Sequence, residues 1–121
     1  MSGSNALLGL GLVASIMGCA YASGSVSYVQ NPELRSVRMY SGRPDPLGEN
    51  LGSVEVVREG GGDCSELGND ALVALLAEAK ALGGTGLKDV KFRGRYHWMG
   101  RVVCRRSFSG MSVQVRGTAT R

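Results

Sequence analysis

Aromatic residues are scarce in this chain: two Phe, one Trp and four Tyr, or 6% of 121 residues. A core must therefore be built mainly from Val, Leu, Ala and Met. Histidine occurs once, at His97, and no two cysteines form a Cys-x-x-Cys pair. Structural zinc sites draw on clusters of such ligands, so no metal and no cofactor are expected. His97 has no evident nucleophile partner, so no catalytic residue is expected either. Glu55, Glu59, Asp63 and Glu66 lie close in sequence, but strand alternation and turn capping account for them without an acid–base pair. The chain is too short for a TIM barrel or a full dinucleotide-binding fold, and its length fits one domain. Its charged fraction of 20% beside 43% hydrophobic residues excludes a disordered protein. A net charge of +4 and a pI near 9.3 permit an anionic partner without demanding nucleic acid, and no nucleic-acid partner is expected.

Charge is absent from Ala6 to Met17. A dozen apolar residues match the hydrophobic region of a signal peptide and fall short of the roughly 20 needed to span a membrane. The Gly9-Leu10-Gly11 pattern has no preceding strand, so a phosphate loop is not read here. Ile16-Met17-Gly18-Cys19 then resembles the bacterial lipobox, in which the thiol of the Cys receives a diacylglyceryl group. Residues 1–18 are expected to be a lipoprotein signal peptide and Cys19 the lipidation site, with membrane lipid as its partner. More than one acyl chain anchors stably, at about 0.8 kcal/mol per buried CH2. A plain secretory signal or a buried N-terminal helix are the alternatives. Ala20, a residue other than Asp after the Cys, favours the outer membrane in a two-membrane cell, with the protein facing the periplasm. Residues 19–33 are expected to be the lipidated Cys and a flexible tether, and 34–121 the folded domain.

Within that domain, 34–40 carries an ambiguous strand signal. Gly42 to Leu51, with two prolines and two glycines, predicts a loop. Gly52 to Glu59 predicts a strand, ended by Gly60-Gly61-Gly62. Leu72, Leu75, Leu76, Ala79 and Leu82 form one apolar helical stripe. Ser65 or Asn69 can cap its start, Glu66 and Asp70 suit the positive end of the helix dipole, and Gly83-Gly84 suits its end. Three further strands are predicted from 86–96, 101–108 and 111–119, the last two joined by a tight hairpin at Ser109-Gly110. The expected fold is α+β: a small, mostly antiparallel sheet of four to five strands packed on one amphipathic helix.

If Cys19 is lipidated, Cys64 and Cys104 remain as an even pair. Export would place them where disulfides persist, and a bridge would tie the helix start to a later strand. Two free buried thiols or a metal site are the alternatives.

Several of these features together resemble the Rcs-type (RcsF-like) outer-membrane stress-sensor lipoproteins and related small exported domains. The likeness lies in Gly52-Ser53-Val54 entering a strand and Gly62-Asp63-Cys64 ahead of a helix. It continues through Ala79-Lys80-Ala81-Leu82-Gly83-Gly84-Thr85, the later Cys104 and the closing Val115-Arg116-Gly117-Thr118-Ala119. It covers roughly residues 48–119. The resemblance implies a small sheet on one helix, a helix–strand disulfide, and a non-enzymatic role in stress sensing through an envelope protein partner.

The modest net charge conceals an asymmetry. From Lys88 onward the chain carries +8, and from Cys19 to Leu87 it carries −4. Lys91, Arg93 and Arg95 alternate, and in a regular strand they would share one sheet face. With Trp98 and Arg101 they are a candidate site for an anion such as lipopolysaccharide phosphate, an acidic glycan or an acidic partner surface. A solvated face with charged edges is the plainer reading of the same residues. Trp98 can serve as an exposed partner anchor or as core.

Overall fold

The computed structural model describes residues 20–27, 30–37 and 49–121. The expected signal peptide (1–18), Cys19 and most of the expected loop between Gly42 and Leu51 lie outside the described residues.

The helix α1 spans Cys64–Ala81. It starts earlier than the apolar stripe implied, because the Asp63 side chain accepts the Glu66 N–H at 2.9 Å and caps it. The two residues expected to cap are used differently. Ser65 Oγ accepts the Ser25 N–H at 2.9 Å, and Asn69 Oδ1 accepts from Asn31 Nδ2 at 2.8 Å. Both clamp the preceding chain to the helix. At the other end, Gly83 N–H donates to Lys80 O and Gly84 N–H to Ala79 O, both at 2.9 Å. This pairing needs the left-handed conformation that Gly83 adopts at φ +86°. Leu82 closes the predicted stripe but falls on the cap itself, and is 49% exposed.

Six strands form one sheet: β1 (Tyr21–Ser25), β2 (Asn50–Gly60), β3 (Gly86–Phe92), β4 (Tyr96–His97), β5 (Arg101–Ser107) and β6 (Gly110–Thr120). All strand pairs are antiparallel, and β6 is the hub. Along one side it pairs with β2 over nearly its whole length. Its other side is shared, with β5 on Met111 and Ser112 and β3 on the stretch from Val115 to Thr120. The branches diverge near Gln114, and the sheet curls. The fold is α+β, one helix packed on an antiparallel sheet.

Three expectations are corrected. The stretch 19–33, expected to be a tether, contributes β1, paired with β5 from Tyr21↔Arg105 to Ser25↔Arg101. A sequence of Tyr, Ala, Ser and Gly carries little strand propensity, so backbone pairing and close packing hold it. A Cβ at Gly24 would stand 2.5 Å from the Ser65 backbone nitrogen. The strand expected from residue 34 is instead a 3-10 turn, Pro32–Ser36, capped by Asn31 and started by proline, followed by one parallel bridge from Val37 to Leu87. Residues 38–40 lie outside the described set. The β5–β6 hairpin turns on Phe108-Ser109, since Ser107 pairs with Gly110.

The core lies between α1 and the inner sheet face. Leu72, Leu75, Leu87, Phe92, Trp98, Val102, Cys104 and Val113 are fully buried in it. Among the described residues it contains no buried polar or charged residue. Helix and sheet also approach closely at Gly68, where a Cβ would come within 2.6 Å of Val102 Cγ2. Beside this contact the Cys64–Cys104 disulfide joins the first residue of α1 to β5, with Cα atoms 5.9 Å apart.

Candidate functional site

Residues of β6 alternate between the helix and the opposite, outer face. Val113, Val115 and Ala119 are buried, while Gln114 and Arg116 are exposed. The strand register then fixes the outer neighbours. On one side stand Arg105 beside Ser112, Lys91 beside Arg116 and Lys88 beside Thr118. Arg93 fills the gap between the branches, where its N–H donates to Gln114 O at 2.9 Å. On the other side stand Glu59 beside Ser112, Val57 beside Gln114 and Glu55 beside Arg116. The outer face therefore carries a cationic column, Arg105–Arg93–Lys91–Lys88, along one flank of β6 and carboxylates along the other. Steps of two residues give a spacing of about 7 Å between levels, so the column is roughly 20 Å long. The unequal charge of the two halves of the chain thus becomes a lateral division across one strand.

Two backbone irregularities build this column. Lys88 and Lys91 are three residues apart and would face opposite ways in a regular strand. A bulge at Asp89, with φ +51°, inserts one residue and turns both outward. At Arg93, φ is +54°, and the chain leaves β3 for a turn through Gly94. The guanidinium of Arg93 lies 5.4 Å from the ring centroid of Tyr21, whose own cross-strand neighbour is Arg105. Arg116 donates to Gly94 O at 3.1 Å, which ties the turn to the hub strand. Gln114 Nε2 donates to Glu55 Oε1 at 2.6 Å, so that carboxylate already has a neutral partner. Among the described residues, the one lysine or arginine within ion-pair distance of a described carboxylate is Arg121, 2.9 Å from Glu49 at the far end of β6.

The predicted site is partly brought together. Lys91 and Arg93 lie in the column. Arg95 does not, because the turn at Arg93-Gly94 ends the alternation; its guanidinium sits 5.0 Å from the Tyr96 ring. Trp98 is 0% exposed and is core, its backbone N–H donating to Val90 O at 2.9 Å, so it is removed from the binding residues. Arg101 faces outward on β5, two alternations before Arg105 with half-buried Val103 between them. Sequence alternation missed Lys88, Arg105, Arg116 and Tyr21 as members of one face. Their pairing depends on long-range register that no local pattern carries. No group of three His, Cys, Asp or Glu side chains is arranged to hold a metal among the described residues. No described helix is long and apolar enough to cross a membrane. No family model matches the chain, and the searches of curated proteins and of solved structures found no match.

Proposed function

We propose that this chain is a non-enzymatic bacterial envelope lipoprotein, anchored to the outer membrane through Cys19, whose sheet binds an extended anion on its outer face. The cationic column Arg105–Arg93–Lys91–Lys88, joined by Arg116, carries this reading. A regular row of cations suits phosphates of lipopolysaccharide or the carboxylates of an acidic glycan. Arginine fits either anion because its planar fork pairs bidentately with phosphate or carboxylate. Four of these five cations lie on paired strands, and Arg93 is held against β6 by its bond to Gln114 O, so little ordering is needed on binding.

Titrating the full chain with purified lipopolysaccharide tests this. Binding is expected to weaken steeply as salt rises through the range where the screening length falls to about 8 Å. It should also weaken with Lys91→Gln, Arg93→Gln and Arg116→Gln combined. Salt-independent binding, or affinity unchanged in the triple variant, overturns the proposal. The anchor is tested separately: radiolabelled palmitate is expected in the wild type and absent from Cys19→Ala, and equal labelling overturns the anchorage. The stress-sensing role implied by the resemblance, through an envelope protein partner, is the second reading. The observation favouring it is the Cys64–Cys104 bond between helix and strand.

A further inference from the structure

The end of the sheet that carries the β5–β6 turn differs from the rest of the surface. Phe108, at the turn, is completely exposed, the most exposed large apolar side chain among the described residues. An isolated surface phenylalanine at a hairpin tip has no role in this core, and Ser107 and Gly110 already close the turn around it. Behind it stand Arg105 and Arg106, both exposed, and Tyr21, 55% exposed beneath the Arg93 guanidinium. Glu59, across β6 from Arg105, is the acidic residue at this level.

The direction of β1 gives this end its meaning. Because β1 runs antiparallel to β5, tracing back from Tyr21 leads toward the turn. The Arg106 N–H donates to Ala20 O at 2.7 Å, so pairing already extends to Ala20. Residue 19 is bonded to Ala20 and its Cα lies about 3.8 Å from that of Ala20 whatever path it takes. An acyl group on Cys19 would therefore leave the domain beside Arg106, one residue short of the turn that displays Phe108. On the proposed anchorage, the lipid-bearing residue is then the immediate neighbour of a residue paired into the sheet.

We infer that the β5–β6 turn is a membrane-contact tip, inserted into the headgroup layer of a phospholipid bilayer; this rests on the proposed anchorage at Cys19. Phe108 enters the boundary between headgroups and acyl chains, and Tyr21 lies at headgroup level, where amphipathic rings are favoured. Arg105 and Arg106 pair with lipid phosphates. One aromatic ring and two arginines bind weakly alone, but an adjacent acyl anchor makes the contact intramolecular and its effective concentration high. β6 then stands upright, with its far end, where Leu82 is exposed, about 35 Å from the tip. The cationic column starts at the bilayer with Arg105 and climbs away from it.

Tryptophan quenching tests the tip. The full chain, purified from membranes and reconstituted into vesicles of phosphatidylethanolamine and phosphatidylglycerol with brominated acyl chains, is compared as Phe108→Trp and Leu82→Trp. Trp98 is fully buried and supplies a constant background. Both substituted positions are exposed, so neither change disturbs the core. Quenching several-fold greater at position 108 than at position 82 is expected. It should decline when Arg105→Gln and Arg106→Gln are added to Phe108→Trp. Equal quenching at the two positions overturns the tip, whether or not palmitate is found on Cys19. Strong quenching at position 108 in unlabelled protein keeps the tip and overturns the anchorage.

Discussion

On the inner face of β6, Val113, Val115, Gly117 and Ala119 are closed under α1. On the outer face, Gln114, Arg116 and Thr118 meet a row of cations on one side and carboxylates on the other. The inner row is limited by volume. A Cβ at Gly117 would lie 3.2 Å from Lys88 O and 3.3 Å from Val90 Cγ2, so even one methyl group is tight. The outer row is limited by charge, and its side chains keep their water. One alternating strand thus separates the packed face from the face proposed to bind the anion, and substitutions on the two should be separable in the same way.

The largest effect belongs to the inner side. Reducing the Cys64–Cys104 bond, or replacing both cysteines with Ala, should lower unfolding free energy by about 4 kcal/mol, the loop-closure value for a 40-residue separation. Denaturant unfolding with and without reductant measures it, and anion affinity under folding conditions should stay the same. Next comes Gly68→Ala. In an exposed helix this change stabilises by about 1 kcal/mol. Here the new methyl meets Val102, and a net loss of about 1 kcal/mol is expected by thermal denaturation. A gain in stability would show that the helix can lift off the sheet without cost. On the outer face, Arg116→Gln should leave stability within about 0.5 kcal/mol while weakening anion binding and flattening its salt dependence. Loss of fold in that variant would break the separation of the two faces. The smallest effect is that of Glu55→Gln, which removes a carboxylate beside Arg116 and should tighten anion binding slightly in the same titration.

The helix was legible because its apolar residues repeat at the helical period through its second half, from Leu72 onward. Its start was not, since Asp63 caps from just before a cysteine that the apolar pattern does not count. The strands at 52–59 and 101–119 were legible from Val-rich alternation. β1 was not, because Tyr21-Ala22-Ser23-Gly24-Ser25 reads as linker and is ordered by backbone pairing with β5 and by a close approach to Ser65. The cysteine pair followed from counting once Cys19 was set aside. The basic surface was legible as a charge imbalance but not as a site. Lys91 and Arg93 share a face with Lys88 only through the bulge at Asp89, which no local alternation carries. Trp98 had equal claims to core and surface in sequence; the bond from its backbone to Val90 turns it inward.

The pairing of β1 with β5 also has a consequence in time. Tyr21 is near one end of the described chain and Arg105 near the other, so the first of the described strands waits for one of the last. β6, the hub, comes later still, and until it arrives β2 and β3 have no common neighbour. Contacts this distant in sequence close slowly. Closure of the described sheet therefore waits on β6, the last of its strands in the sequence.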